Sequence, residues 1–290
     1  MKKILSIILA LTMLFAVGTL VACTDAEEGN NEVVENNEEA ENNETPEEPK
    51  VETLTCGVTI FENMNEKDEN GEWTGFETEF AQEVGKLLGM NVEFQEIDWS
   101  QKYIELSSNA ISCIWNGFTA NAVESATGQK RSDLVDFTYG YMLNQQCIVI
   151  NKANADTIKT VEDLAGKTVG VEGGSAGESY AAGVIGDGEM IKYPAQNKAF
   201  LEVKTGAIDF AVMDIVLAKN ICGKGDYEDL MIVEDIVLDS EIYAIGFPKG
   251  SELTAKVNDA IKTLFDNGTM AALATKYGFE NTVQLCETIE

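Results

Sequence analysis

One short unit is written twice along this chain, and the repetition constrains the fold more than any other feature. Residues 105–112 (ELSSNAIS) align without a gap to residues 202–209 (EVKTGAID). Each copy reads as a helix end, a tight turn at Asn109 or Gly206, and the start of a buried strand. Around the first copy, residues 54–60 predict a strand, and residues 68–71 a turn. Phe76, Phe80, Val84, Leu87 and Leu88 then recur at helical spacing until Gly89. Residues 92–97 predict a second strand, 100–108 a helix and 110–116 a third strand. Around the second copy, residues 167–171 predict a strand, and Gly173-Gly174-Ser175 leads into a helix. A helix at 197–205 and a strand at 208–213 follow. Alternating strands and helices argue an α/β fold. Recurrence of the unit argues two similar lobes rather than one long sheet. Residues 145–151 and 241–247 are placed to cross between lobes, and helices at 251–266 and 269–277 to return to the first. Lobe 1 is then 54–144 plus 245–290, and lobe 2 is 145–244. Two crossings make a hinge, so the cleft between the lobes can open and close.

The N-terminus reads as a processing signal. Lys2 and Lys3 precede an apolar stretch at 4–21, which ends in Leu20-Val21-Ala22-Cys23. That ending resembles a bacterial lipobox. The resemblance implies a lipoprotein signal peptide over 1–22, cleavage before Cys23 and lipidation of its sulfur. An uncleaved membrane anchor is the alternative. Either way the body is expected outside the cytoplasm. Residues 23–53 hold Cys23 and a Glu/Asn-rich tether with no aromatic residue. Such a segment buries too little apolar surface to offset the entropy of ordering it. As a flexible coil it spans at least about 30 Å.

Composition removes several functions. The net charge is −30, which argues against nucleic-acid binding and basic membrane association. There is no histidine, so Ser-His-Asp and Cys-His catalysis and histidine metal sites are excluded. Besides Cys23 there are Cys56, Cys113, Cys147, Cys222 and Cys286, none in a CxxC pair. Cys56, Cys113 and Cys147 lie in apolar runs and read as core residues. No disulfide is assignable, and no metal or cofactor is expected.

Arg131 is the only arginine beside nineteen lysines. Arginine grips a carboxylate with two parallel hydrogen bonds from a planar fork that stays charged. By itself Arg131 reads as either a surface salt bridge or a ligand clamp.

Over residues 54–280 the chain resembles the extracellular solute-binding proteins of family 3, which deliver amino acids to ABC transporters. Gly75-Phe76-Glu77-Thr78-Glu79-Phe80, followed by Val84 and Gly85, fits the family signature at the first helix. Trp115-Asn116-Gly117-Phe118-Thr119 ends the third strand, where open α/β sheets collect ligands. The resemblance implies that Gly117 and Thr119 meet the ligand head group, and that Arg131, six residues before Phe137, clamps its carboxylate. The Thr119–Arg131 spacing is seven residues longer than the family pattern, and an ungapped match places Glu124 at the clamp. An acid does not bind a carboxylate, so an insertion near 122–128 is inferred. Gly174-Ser175-Ala176 resembles the family's glycine-hydroxyl turn, which implies that amides of Ser175 and Ala176 hold the carboxylate. Ser175 also fits a plain helix cap. Asp214 falls where the family binds the α-ammonium, and Trp99 where an aromatic stacks on the ligand side chain. Phe61 and Glu62 occupy the loop that forms the opposite wall. Thr59 stands where many relatives carry an acid, and Glu172 points to the same region, so a polar or cationic side chain is favoured.

The expected fold is therefore two three-layer α/β lobes joined by two crossover strands, of the periplasmic-binding-protein-like type II class. The expected function is capture of a free amino acid by cleft closure and delivery to an ABC permease, by a monomer tethered to the membrane through its lipid. The alternatives are a secreted dehydratase of the same fold and a sensory ligand-binding lipoprotein.

Overall fold

The computed structural model describes residues 51–124 and 126–289. The expected signal peptide, Cys23 and most of the expected tether lie outside the described residues. No described helix is long and apolar enough to cross a membrane.

The first lobe opens with β1 (Thr53–Val58), a hairpin of β2 (Glu66–Lys67) and β3 (Trp73–Thr74), α1 (Phe76–Leu88) and β4 (Asn91–Glu96). It continues through α2 (Lys102–Ser107), β5 (Cys113–Ile114), α3 (Arg131–Leu134) and β6 (Asp136–Phe137) to the long β7 (Gly140–Asn151). The second lobe holds β8 (Val169–Glu172), α4 (Ala176–Val184), β9 (Met190–Tyr193), α5 (Asn197–Thr205), β10 (Phe210–Asp214), α6 (Ile215–Ile221) and β11 (Leu230–Ile232). β12 (Ser240–Tyr243) crosses back, and β13 (Gly246–Phe247), α7 (Glu252–Asp266), α8 (Thr269–Tyr277) and β14 (Val283–Cys286) complete the chain.

The first sheet has the order β4-β1-β5-β13-β6, with β1 parallel to both β4 and β5. The second has the order β11-β7-β10-β8-β9. β7 joins the two lobes. Its residues Met142–Gln145 pair antiparallel with β12, and Gln146–Ile150 pair antiparallel with β10. The two crossover strands therefore lie side by side and antiparallel where the lobes join.

The first lobe shows how sequence dictates packing. In β1, Leu54, Cys56 and Val58 are fully buried, as is the Phe76, Phe80 and Val84 stripe of α1. Each such large side chain contributes about 1.5–3 kcal/mol by leaving water. Gly75 opens α1 at φ 116, and a Cβ there would stand 2.3 Å from the Met64 carbonyl oxygen. Only glycine fits. α7 and α8 pack on α1, and the signature acid Glu79 accepts from the Tyr277 hydroxyl at 2.6 Å. The C-terminal helices thus return to lobe 1.

Several expectations need correction. The third strand expected at 110–116 is only Cys113–Ile114. Left-handed backbone at Asn109 (φ 59) and Gly117 (φ 55) bends the chain on either side of it. The helix expected at 100–108 begins with a 3-10 turn at Trp99–Gln101 before α2. The first crossover starts at Gly140, five residues before the expected position. β14, which pairs with the start of β7, was not foreseen. The five described cysteines are free, with Cys56 and Cys113 facing each other across neighbouring strands at 3.8 Å.

Candidate functional site

Thr119 and Arg131 lie at the two ends of a loop that closes on itself. The Glu124 amide donates to the Gln129 carbonyl at 2.9 Å, and the Gly128 amide to the Glu124 carbonyl at 2.8 Å. Val123 bridges Lys130, and the Arg131 amide donates to the Ala122 carbonyl at 3.1 Å. The extra residues therefore form a side excursion, and Arg131 returns beside Thr119. Its side chain is 1% exposed. Nε donates to Glu124 Oε1 at 2.8 Å, Nη1 to the Thr119 carbonyl at 3.1 Å and Nη2 to the Gly174 carbonyl at 3.1 Å. The guanidinium carbon lies 5.0 Å from the centre of the Phe118 ring. Three of five N–H groups are thereby engaged. Two remain, one on each Nη, for a further acceptor.

Lys102, from the buried face of α2, joins this cationic end. Its Nζ donates to the same Gly174 carbonyl at 2.8 Å and stands 3.7 Å from Glu124 Oε2. The rings of Tyr103, Trp99 and Phe118 surround it at 4.7, 5.3 and 6.0 Å. Burial, and then the Arg131 charge, push its pKa down to about 8. Glu124 is the hub of the group, for its Oε1 also accepts from the Tyr103 hydroxyl at 2.7 Å.

Across Thr119 lies an acidic end. The Thr119 carbonyl faces Arg131, while its hydroxyl donates to Glu241 Oε2 at 3.3 Å. Glu241 shares the side-chain amides of Asn144 and Gln146 with Asp214, which ends β10. Gln196 holds Asp214 twice, donating to Oδ2 and accepting from the Asp214 amide at 2.9 Å. Burial and the neighbouring Asp214 charge push Glu241 up to about 7, and burial raises Asp214 as well. Glu172, at the end of β8, is pushed up to about 8 by burial and Asp214. Its contact with the Thr59 hydroxyl is long, at 3.4 Å, and that hydroxyl's one proton also faces Asn116 Oδ1 at 2.7 Å. A fourth buried acid, Glu77, accepts from the Gly117 amide at 2.8 Å and from the Tyr141 hydroxyl. It fixes the loop at Gly117, where a Cβ would press on Phe61 and Tyr243 at 3.0–3.1 Å. Burial raises Glu77 to about 7.

Two α/β lobes thus meet with a buried arginine on one side of Thr119 and buried carboxylates on the other. Residues 54–281 match the family model for bacterial extracellular solute-binding proteins, family 3. The chain belongs to that family. It is similar to the L-cystine-binding protein TcyJ of Escherichia coli (strain K12), at 29% identity over 210 residues, 72% of this chain and 76% of that protein. It is also similar to the arginine-binding extracellular protein ArtP of Bacillus subtilis (strain 168), at 27% identity over 280 residues, 96% of this chain and 98% of that protein. Among solved structures, an ancestral arginine-binding protein bound to arginine aligns with TM-score 0.70 and 32% identity, covering 78% of this chain and 97% of that one. The architecture is the two-lobed, periplasmic-binding-protein-like type II fold of these relatives.

Of the residues nominated through the family pattern, Arg131, Thr119 and Asp214 fall into one connected network. Gly117 and Phe61 touch beside it. Ser175 takes the helix-cap role that its sequence also allowed. Its hydroxyl caps α4 by accepting from the Glu178 amide at 3.1 Å, and its amide donates to the Glu172 carbonyl at 3.2 Å. The Gly174 amide is likewise taken, by Glu178 Oε2 at 2.7 Å. Ala176, the first residue of α4, keeps an amide with no acceptor inside its helix. Trp99 is 3% exposed and meets Phe118 edge-on at 5.5 Å, so it packs behind Lys102 instead of forming an open wall. Glu62 sits apart, on a cavity of about 540 Å³ with Tyr193, Pro194 and Asn197. Lys102, Asn144, Gln146, Gln196 and Glu241 were not nominated. Their signal was a polar residue on a buried face: Lys102 one turn before buried Leu106, and Asn144 and Gln146 two apart on a strand, with Asn144 opposite Glu241.

Proposed function

We propose that the protein captures a free amino acid with a cationic side chain outside the cytoplasm and hands it to an ABC permease. Its relatives are amino-acid-binding proteins of such systems, and their family is extracellular. The observation that carries the reading is the opposite polarity of the two sides of Thr119. Arg131 offers two N–H groups to a carboxylate, and Asp214, Glu241 and Glu172 on the other side of Thr119 are held toward their protonated forms by burial. An α-ammonium between Asp214 and Glu241, with a side-chain cation near Glu172, supplies the missing positive charge. Each carboxylate then ionises in contact with a partner. Arg131 comes from lobe 1 and Asp214 from lobe 2, so one ligand contacts both lobes and shifts the population toward the closed arrangement. The resemblance of residues 20–23 to a lipobox supports a lipid anchor on Cys23, which would hold the body near its permease.

Thermal melting against the common amino acids, ornithine and cystine tests this. A ligand at 100 times its Kd adds about 2.7 kcal/mol of stability, which raises Tm by about 5–10 °C for a body of this size. Arginine, lysine or ornithine should give the largest shifts. No shift with any amino acid would overturn the reading.

A further inference from the structure

We propose that Lys102 is a second cation of the carboxylate site and grips the bound ligand's carboxylate together with Arg131. This role presupposes the amino-acid reading given above. Two cations of lobe 1 converge on a single oxygen of lobe 2. The Gly174 carbonyl lies 2.8 Å from Lys102 Nζ and 3.1 Å from Arg131 Nη2. Two charged donors aimed at one point create a strongly positive spot, and an anionic oxygen fits there better than a neutral carbonyl. The carbonyl thus marks where a carboxylate oxygen belongs.

Donor capacity agrees. An ammonium has three N–H groups. For Lys102 the Gly174 carbonyl takes one, and the Trp99 carbonyl at 3.5 Å is at the limit of a hydrogen bond. Glu124 at 3.7 Å is an ion pair without a hydrogen bond.

Charge balance agrees too. The charged groups facing Lys102 are Glu124 from the inserted loop, Arg131 from α3 and Glu172 from β8, and the rest of its surroundings are the rings of Trp99, Tyr103 and Phe118. Among the described residues Glu124 is the only anion in contact with either cation, and it serves both, at 2.8 and 3.7 Å. One positive charge is left over in a place where Lys102 and Arg131 are each 1% exposed. Buried charge without a partner is costly. A ligand carboxylate cancels it.

The competing explanation is that Lys102 only latches the lobes together. A latch helps every ligand equally, whereas a carboxylate-binding cation helps only ligands that carry the carboxylate. Calorimetry with L-arginine and L-arginine amide separates the two, and any other amino acid that binds more tightly replaces arginine with its own amide. Lys102→Met keeps a stem of similar length among the rings and removes the charge. It should weaken the acid by at least about thirtyfold and the amide by less than about threefold, so the acid-to-amide ratio collapses at least tenfold. Equal weakening of acid and amide, or no weakening, overturns the proposal. A wild-type protein that binds no free amino acid overturns the amino-acid reading and Lys102's role with it. If the variant does not fold, a ligand-bound crystal structure of the wild type decides: a carboxylate oxygen within hydrogen-bond distance of Nζ is expected, and a carboxylate held by Arg131 alone refutes it.

Discussion

Glu124→Ala removes the one anion that holds the cationic end together. The Arg131 and Glu124 side chains are 1% and 11% exposed, and their contact is 2.8 Å. Breaking one side of such a buried pair costs about 3–5 kcal/mol, because the other charge stays buried. The Tyr103 hydroxyl also loses its 2.7 Å acceptor, worth about 1 kcal/mol. A total of about 4–6 kcal/mol corresponds to a fall in Tm of roughly 8–24 °C for a body of this size. Glu124→Gln keeps a neutral acceptor for both donors and should lose about half as much. Melting followed by circular dichroism reads both variants. Saturating amino acid should stabilise Glu124→Ala more than wild type, since the ligand carboxylate supplies the missing anion. A Glu124→Ala protein melting within about 2 °C of wild type would refute the reasoning, because Arg131 would then not depend on Glu124.

Arg131→Lys replaces the planar fork by a point charge and cannot reach Glu124, the Thr119 carbonyl and a ligand together. Affinity for the amino acid should fall at least about hundredfold by calorimetry while the protein still melts cooperatively. Glu172→Gln removes an acid whose ionised form is opposed by burial. At pH 8 it should raise Tm, and it should weaken a cationic amino acid by about tenfold or more while leaving a neutral one nearly unchanged. The pH dependence has a definite sign. Glu77, Glu172 and Glu241 have pKa values raised from 4.5 to about 7, 8 and 7, so the native state binds more protons than the unfolded one. Their contribution to stability is full below about pH 4.5 and is lost as pH rises through 7–8. A bound cation lowers the Glu172 and Glu241 values, so binding releases protons. Affinity for a cationic amino acid should rise between pH 6 and 8, and an affinity that fell over that range would contradict the assignment.

Local patterns made much of the fold legible. The apolar stripe of α1 and its glycine stop were readable from spacing, and α5 runs from Asn197 to Thr205 as expected. The doubled helix-turn-strand unit revealed two lobes because each copy needs its own sheet. The length of β5 was not readable. Apolar residues continue to Trp115, but the turn into left-handed backbone at Gly117 ends the strand, and that turn depends on Glu77, forty residues away. The same limit governed the site. Arg131 stood out as the one arginine, and Asp214 was nominated through the family resemblance. Glu241 acquires its meaning only when β12 lies against Asn144 of β7, and Lys102 only when Gly174 arrives from the other lobe. Ser175 shows the converse. Its local cap geometry, plain in the sequence, took its hydroxyl.

The central claim is that one cleft holds both ends of an amino acid's head group, the carboxylate at Arg131 and the ammonium at Asp214. Calorimetry tests it with three compounds: the best-binding amino acid of the panel, its decarboxylated amine and its Nα-acetyl derivative. Each analogue removes one charge, and each should bind at least about hundredfold more weakly than the parent. Either analogue binding within about threefold of the parent would contradict the account, since that end of the head group would then have no partner in the cleft.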